Sequence, residues 1–206
     1  MRSVIKPSNG LAGKLGLASS LLAVALLAGG LTQAQAAPVT YKIDPVHSRI
    51  NFYVNHLGFS NSVGQFHVPE ATLSFDNAQW SNSKVSLKIA VDSLDMGDDT
   101  WKEHLLSNNW LDAKAFPTMS FESTQLEGAN GKGTLHGQLT IKGVTRPVDL
   151  AVSLNGLGEH MMRRVQAVGF SATTTIKRSD FGIKTYLGPV GDDISIRIEI
   201  EAAADK

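Results

Sequence analysis

The last stretch of the chain constrains the fold most. Ile194, Ile196, Ile198 and Ile200 alternate with Ser195, Arg197 and Glu199. A period of two puts the isoleucines on one face and the polar residues on the other, the pattern of a half-buried β-strand. Just upstream lies Arg178-Ser179-Asp180-Phe181-Gly182, an aromatic residue held in a turn cluster.

The same period recurs along the chain. Ile50, Phe52, Val54 and His56 share a face; so do Leu73 and Phe75; so do Val85, Leu87, Ile89 and Val91. Met119 and Phe121 follow, then Leu135, Leu139 and Ile141 with Gly137, then Val148, Leu150, Val152 and Leu154. Val168, Phe170, Ala172 and Ile176 precede the terminal isoleucines, and a short strand fits Val63–His67. Turn residues separate these runs, among them Gly128-Ala129-Asn130-Gly131 and Lys142-Gly143. Gly131-Lys132-Gly133, Gly156-Leu157-Gly158 and Asp192-Asp193 also read as turns. Eight or nine strands without a repeat or linker predict one all-β domain, an antiparallel eight-stranded barrel.

One interruption is helical. Asp98-Asp99 supply acidic capping residues for Thr100–Ser107, which sets Trp101, His104 and Leu105 on one side. Trp110-Leu111 and Phe116-Pro117 continue an irregular apolar connection. A segment of about 25 residues is long for a hairpin loop, and it serves as a plug of one barrel end, a lid, or both.

The first 36 residues read as a secretory leader. Arg2, Lys6 and Lys14 are basic, Leu15–Leu27 is apolar, and Ala34-Gln35-Ala36 is a small-x-small cleavage site. The apolar run is shorter than the roughly 20 residues of a spanning helix, so cleavage is expected over anchoring. The mature domain then spans residues 37–206 and is expected to be exported. With no cysteine there is no lipid attachment, no disulfide and no thiol chemistry, and no membrane insertion is expected after cleavage. The chain carries 19 basic and 19 acidic residues; losing the three basic leader residues leaves about −3, without a basic stripe for nucleic acid.

Catalytic signals are sparse. Gly58-Phe59-Ser60-Asn61-Ser62 lacks the final glycine of a nucleophile elbow, and His47-Ser48 near Asp44 point apart on an extended chain. The six histidines form neither His-x-His nor His-Glu-x-x-His, although His47, His56 and His104 could meet in space. No metal, cofactor or catalytic residue is expected, so the protein reads as a binder and not an enzyme. The alternatives are an enzyme acting on a lipid or quinone through a histidine cluster, or a ligand-free interaction module. The apolar interior fits either a packed core or a ligand cavity, which periodicity does not separate.

The ordered set of motifs resembles the YceI-like family of polyisoprenoid-binding proteins. The resemblance runs from Tyr41-Lys42-Ile43-Asp44-Pro45-Val46-His47-Ser48 through Val54-Asn55-His56-Leu57-Gly58, Gly64-Gln65-Phe66 and Phe75-Asp76. It continues at His104-Leu105, Phe116-Pro117, Phe121-Glu122-Ser123, Gly137–Thr145 and Arg178–Gly182. Where relatives often carry Arg-Asp, this chain has Trp101-Lys102. The resemblance implies a lipocalin-like barrel with a helical segment near one opening, a periplasmic address, and a long-chain isoprenoid, isoprenoid quinone or acyl lipid in the interior. On that reading Phe52, Val54, Phe66, Phe116, Met119, Phe121, Leu139, Val152, Phe170, Phe181 and Ile196 grip the tail. Trp101, Leu105 and Trp110 surround the mouth, with His56 and His104 as head-group contacts. Barrels of this size can also pair as a homodimer, and no stretch of the sequence marks that interface.

Overall fold

The computed structural model describes residues 37–69 and 71–205; the expected leader, residues 1–36, lies outside the described residues. Eleven strands and one α-helix succeed one another along the described chain. They are β1 (Val39–Ile43), β2 (Arg49–His56), β3 (Ser60–His67), β4 (Thr72–Phe75), β5 (Lys84–Ala90) and β6 (Leu94–Asp95), then α1 (Asp99–Leu106). After it come β7 (Thr118–Ala129), β8 (Lys132–Ile141), β9 (Val144–Glu159), β10 (Gln166–Lys177) and β11 (Val190–Ala204).

The eleven strands occupy eight positions of a closed antiparallel ring. β1 and β2 lie end to end along one edge of β11: Tyr41 to Ile43 face Ala204 to Ala202, and Arg49 to Val54 face Glu199 to Ile194. β3 and β4 form the next position, pairing with β2 and β1 in turn, and β5 with β6 form the third. β7 to β11 complete the meander, each bonded to the next. A closed ring satisfies every strand edge except where a partner is short. That happens at β6, whose two residues reach only Gln65 and Phe66 of β3.

The break between β1 and β2 has a local cause. Pro45 has no N–H to give to a ladder, and the Asp44 carboxylate accepts the Val46 and His47 N–H groups at 2.8 and 3.3 Å instead. Ser48 pins the bend to the last strand. Its fully buried hydroxyl donates to the Glu201 carbonyl at 3.3 Å and accepts the Glu201 N–H at 3.1 Å.

Two inward glycines make room for aromatic rings. A Cβ at Gly64 would lie 2.4 Å from the Phe52 ring and from the Met96 sulfur. One at Gly137 would lie 2.2 Å from the Phe121 ring and 2.8 Å from the Glu122 carbonyl oxygen. The rings therefore cross the barrel over bare backbone.

Three expected turns are strand instead. Gly156-Leu157-Gly158 continues β9 and pairs with Gly169-Val168-Ala167, the mismatch being absorbed by a bulge at Gly169/Phe170. Gly133 lies in β8, where a Cβ would meet the Glu127 carbonyl oxygen and the Trp80 ring, so only Asn130-Gly131 turns. Asp192-Asp193 opens β11; Asp193 receives Lys177 Nζ at 2.7 Å, and Asp192 binds Ser179. In each case cross-strand pairing outweighs the local turn preference.

Topology assigns the two barrel ends. At one end gather the β2–β3 turn, the segment between β6 and β7 with α1, the Lys142-Gly143 turn and the connection from Arg178 to Pro189. The other end holds both ends of the described chain, the β4–β5 connection with its Trp80–Asn82 turn of 3-10 helix, the Asn130-Gly131 turn and the β9–β10 connection.

Candidate ligand tunnel

The inward faces of the strands do not fill the barrel. Phe52, Phe121, Leu139, Phe170, Ile196 and Ile198 point inside yet keep intermediate exposure, whereas residues of a packed core would be buried. Their residual surface faces two chambers, one of about 450 Å³ at the helix end and one of about 190 Å³ beyond it. Ile50, Ile89, Leu139 and Ile196 line both, so these four residues form the waist that stands between the chambers. Along β11 the inward isoleucines run from Ile194 in the outer chamber to Ile200 in the inner one. Six residues at about 3.3 Å each place the two chambers end to end over roughly 20 Å of the strand.

The inner chamber is almost wholly hydrocarbon, walled by residues such as Leu87, Leu135, Leu150, Val152 and Ile200. Phe75 packs edge-on against Trp80 at 5.6 Å and against Phe170 at 5.1 Å at its floor. The outer chamber adds His56, Trp101, His104, Trp110, Arg178 and Tyr186 to its apolar lining.

The segment between β6 and β7 covers the outer chamber. Asp98 caps α1 by accepting the Trp101 N–H at 2.7 Å, as the acidic start of the helix predicts. α1 fully buries no residue; Trp101, Leu105 and Leu106 pack partly buried against the core, and the residues just C-terminal to it add further ties. Trp110 is buried, Lys142 Nζ donates to the carbonyls of Asn108 and Trp110 at 2.8 Å each, and Thr185 Oγ1 donates to that of Asn109 at 2.7 Å. The segment is tied to both neighbouring connections and closes this end of the ring.

Arg178 is a site residue that the sequence reading misses. The residue is 4% exposed, and its guanidinium donates to the carbonyls of Gly191, Ile183, Thr185 and Val190 at 2.8–3.0 Å. These bonds fold the β10–β11 connection over the mouth. The Trp110 ring lies 5.3 Å from its central carbon, within cation–π range. Burial pulls its pKa below the ordinary arginine value, with the Asp192 charge opposing that. Nothing in the local sequence signals a buried arginine, because the stretch around it reads simply as a turn.

Of the residues named from sequence, Phe52, Val54, His56, Phe66, Trp101, His104, Leu105, Trp110, Met119, Phe181 and Ile196 line the outer chamber. Phe121, Leu139, Val152 and Phe170 line the inner one, Leu139 and Ile196 belonging to both. Phe116 is a correction. It lines neither chamber, because its ring lies over Gly143, where a Cβ would meet it at 2.7 Å. The histidines also divide. His56 and His104 reach the outer chamber, while His47 sits at the β1–β2 bend with Asp44 and Glu201, their donor atoms all within 4.8 Å. The seven steps from Arg49 to His56 along β2 span roughly 23 Å, so the three histidines do not converge.

A family profile for the YceI-like domain matches residues 41–202, the whole ring apart from its outermost residues. This chain belongs to the YceI-like family. A UPF0312 protein of Pectobacterium atrosepticum is 35% identical over 187 residues, covering 91% of this chain and 96% of that one. Among solved structures, Burkholderia cenocepacia BcnA superposes with a TM-score of 0.70 at 26% identity, over 77% of this chain and 98% of that one. A polyisoprenoid binding domain from Saccharophagus degradans shares the fold with a TM-score of 0.61 at 12% identity, over 81% of this chain and 99% of that one.

Proposed function

We propose that this protein is a periplasmic carrier that holds a polyisoprenoid, an isoprenoid quinone or another long-chain amphiphile in its barrel, without transforming it. The observation that carries the reading is the pair of apolar chambers inside a closed ring, into which Phe52, Phe121, Leu139, Phe170 and Ile196 keep part of their surface exposed. Each buried methylene contributes roughly 0.8 kcal/mol, so a tail of about ten methylenes gains ~8 kcal/mol before ordering losses. Selection by the wall is then by shape and length, and any finer choice falls to the polar groups at the mouth. The name of the Saccharophagus degradans barrel supports the same ligand class. The leader over residues 1–36 supports export, with cleavage after Ala36.

The test is purification of the exported protein without detergent, organic extraction and mass spectrometry of what is released. A stoichiometric isoprenoid or acyl lipid is expected. A protein that releases nothing and takes up neither added quinone nor added fatty acid would refute the carrier reading.

A further inference from the structure

Every polar side chain lining the outer chamber can donate a hydrogen bond and none is a carboxylate: His56, Trp101, His104, Trp110, Arg178 and Tyr186. The donors are also oriented. Trp110 Nε1–H donates to His104 Nε2 at 3.0 Å. An indole N–H only donates, so Nε2 is the acceptor and the neutral imidazole carries its proton on Nδ1. That Nδ1–H has no acceptor among the described residues.

Arg178 supplies the charge. Four of its five N–H groups are spent on backbone carbonyls, and the fifth, on Nη2, has no protein acceptor among the described residues. No carboxylate forms an ion pair with it there. Asp192, whose charge reaches it, is itself held by the Ser179 N–H and hydroxyl at 2.9 and 2.8 Å. Buried charges are ordinarily paired. This one keeps one N–H without a protein acceptor, is not neutralised by a carboxylate, and lines an apolar chamber.

We infer that the outer chamber is a subsite for an oxyanion head, most simply a carboxylate, borne on the tail that the tunnel holds. Arg178 Nη2 is its cationic anchor and His104 Nδ1–H its second donor, while Trp110 fixes both by stacking on one and bonding the other. An ammonium head would meet donors and a like charge. The inference rests on the carrier reading, which it sharpens from a class of tails to a class of heads.

The wild-type protein is titrated with dodecanoate, dodecan-1-ol and dodecylamine, which share one tail. Hydrogen bonds to charged groups favour the acid over the alcohol by roughly ten- to a hundredfold, and the amine is expected to bind more weakly than the alcohol. Equal binding of all three, or preference for the amine, overturns the inference and leaves the carrier intact. Binding of none overturns the carrier reading itself. His104→Phe is expected to narrow the gap between acid and alcohol severalfold, with a lower melting temperature because the buried Trp110 N–H loses its acceptor; an unchanged gap removes His104 from the subsite. Arg178→Met is less informative alone, because Arg178 also folds the connection from Ile183 to Gly191.

Discussion

Plugging the waist separates tail length from tail binding. Ile196 is half-buried and borders both chambers with Ile50, Ile89 and Leu139. An Ile196→Trp side chain would close the passage and leave the outer chamber, about 450 Å³, open to ligand. The inner chamber then contributes nothing. Its volume is about 190 Å³. Filling a cavity rather than leaving it void is worth about 24 cal/mol per Å³, so its occupation is worth at most about 4.5 kcal/mol. Ordering the tail removes around half of that, leaving about 2 kcal/mol, or roughly 30-fold in Kd. Calorimetric titration with decanoate and octadecanoate reads the difference directly. The wild type is expected to favour octadecanoate by about that factor. In the variant the two acids should bind alike, with decanoate close to its wild-type affinity. If the variant melts normally and still favours the longer acid as the wild type does, the tail does not pass the waist.

Three further outcomes are expected from the scaffold. Gly137→Ala forces a methyl against Phe121 and the Glu122 carbonyl; a loss of about 2 kcal/mol should lower the melting temperature by about 5 °C, and an unchanged melting curve would mean that Phe121 can move aside. Ser48→Ala leaves the Glu201 N–H without its buried partner; a loss of about 1–3 kcal/mol and faster hydrogen exchange at Glu201 are expected, and unaltered exchange would show the bend is held elsewhere. The Asp44–His47 contact predicts a pH window. Hydrogen bonding to Asp44 raises the His47 pKa above 6.5, so its stabilising effect is full below 6.5 and fades as pH rises through the raised value. The bond to His47 lowers the Asp44 pKa below 3.8, so that effect is full above 3.8 and fades as pH falls through the lowered value. Stability from this pair is greatest between those two ordinary values, and His47→Gln should remove the decline on the alkaline side; a parallel pH–melting profile in the variant would count against the pair.

The parts legible in the sequence are those with a local signal. Alternation from Ile194 to Ile200 fixes which side of β11 faces inward, and Asp98-Asp99 marks the start of α1 within a residue. The tunnel wall follows from the same alternation, which is why nearly every named lining residue reaches a chamber. Phe116 fails because it lies in an irregular connection, where no period says which way a ring points. The breaks that split the first three ring positions are hidden for a different reason. β1 and β2 are one position only because β11, from the opposite end of the chain, runs past both. Whether the interior is filled or hollow depends on ring width and on glycines such as Gly64 and Gly137, which let rings tuck against the wall. The charge at the mouth depends on four carbonyls that converge only once the Arg178–Pro189 connection is folded.

The pairing of Tyr41 with Ala204 has a consequence in time. The ring closes between the first described strand and the last, so no shorter piece of the chain can complete it. A nascent chain can form the β7–β8 and β8–β9 hairpins early, since their partners are local. The joint between β11 and β1–β2 must wait for the final fifteen residues of strand, Val190–Ala204. Contacts of such long sequence separation slow folding. The interior therefore can be enclosed only once β11 is available, and a chain still being made has nowhere to keep a lipid.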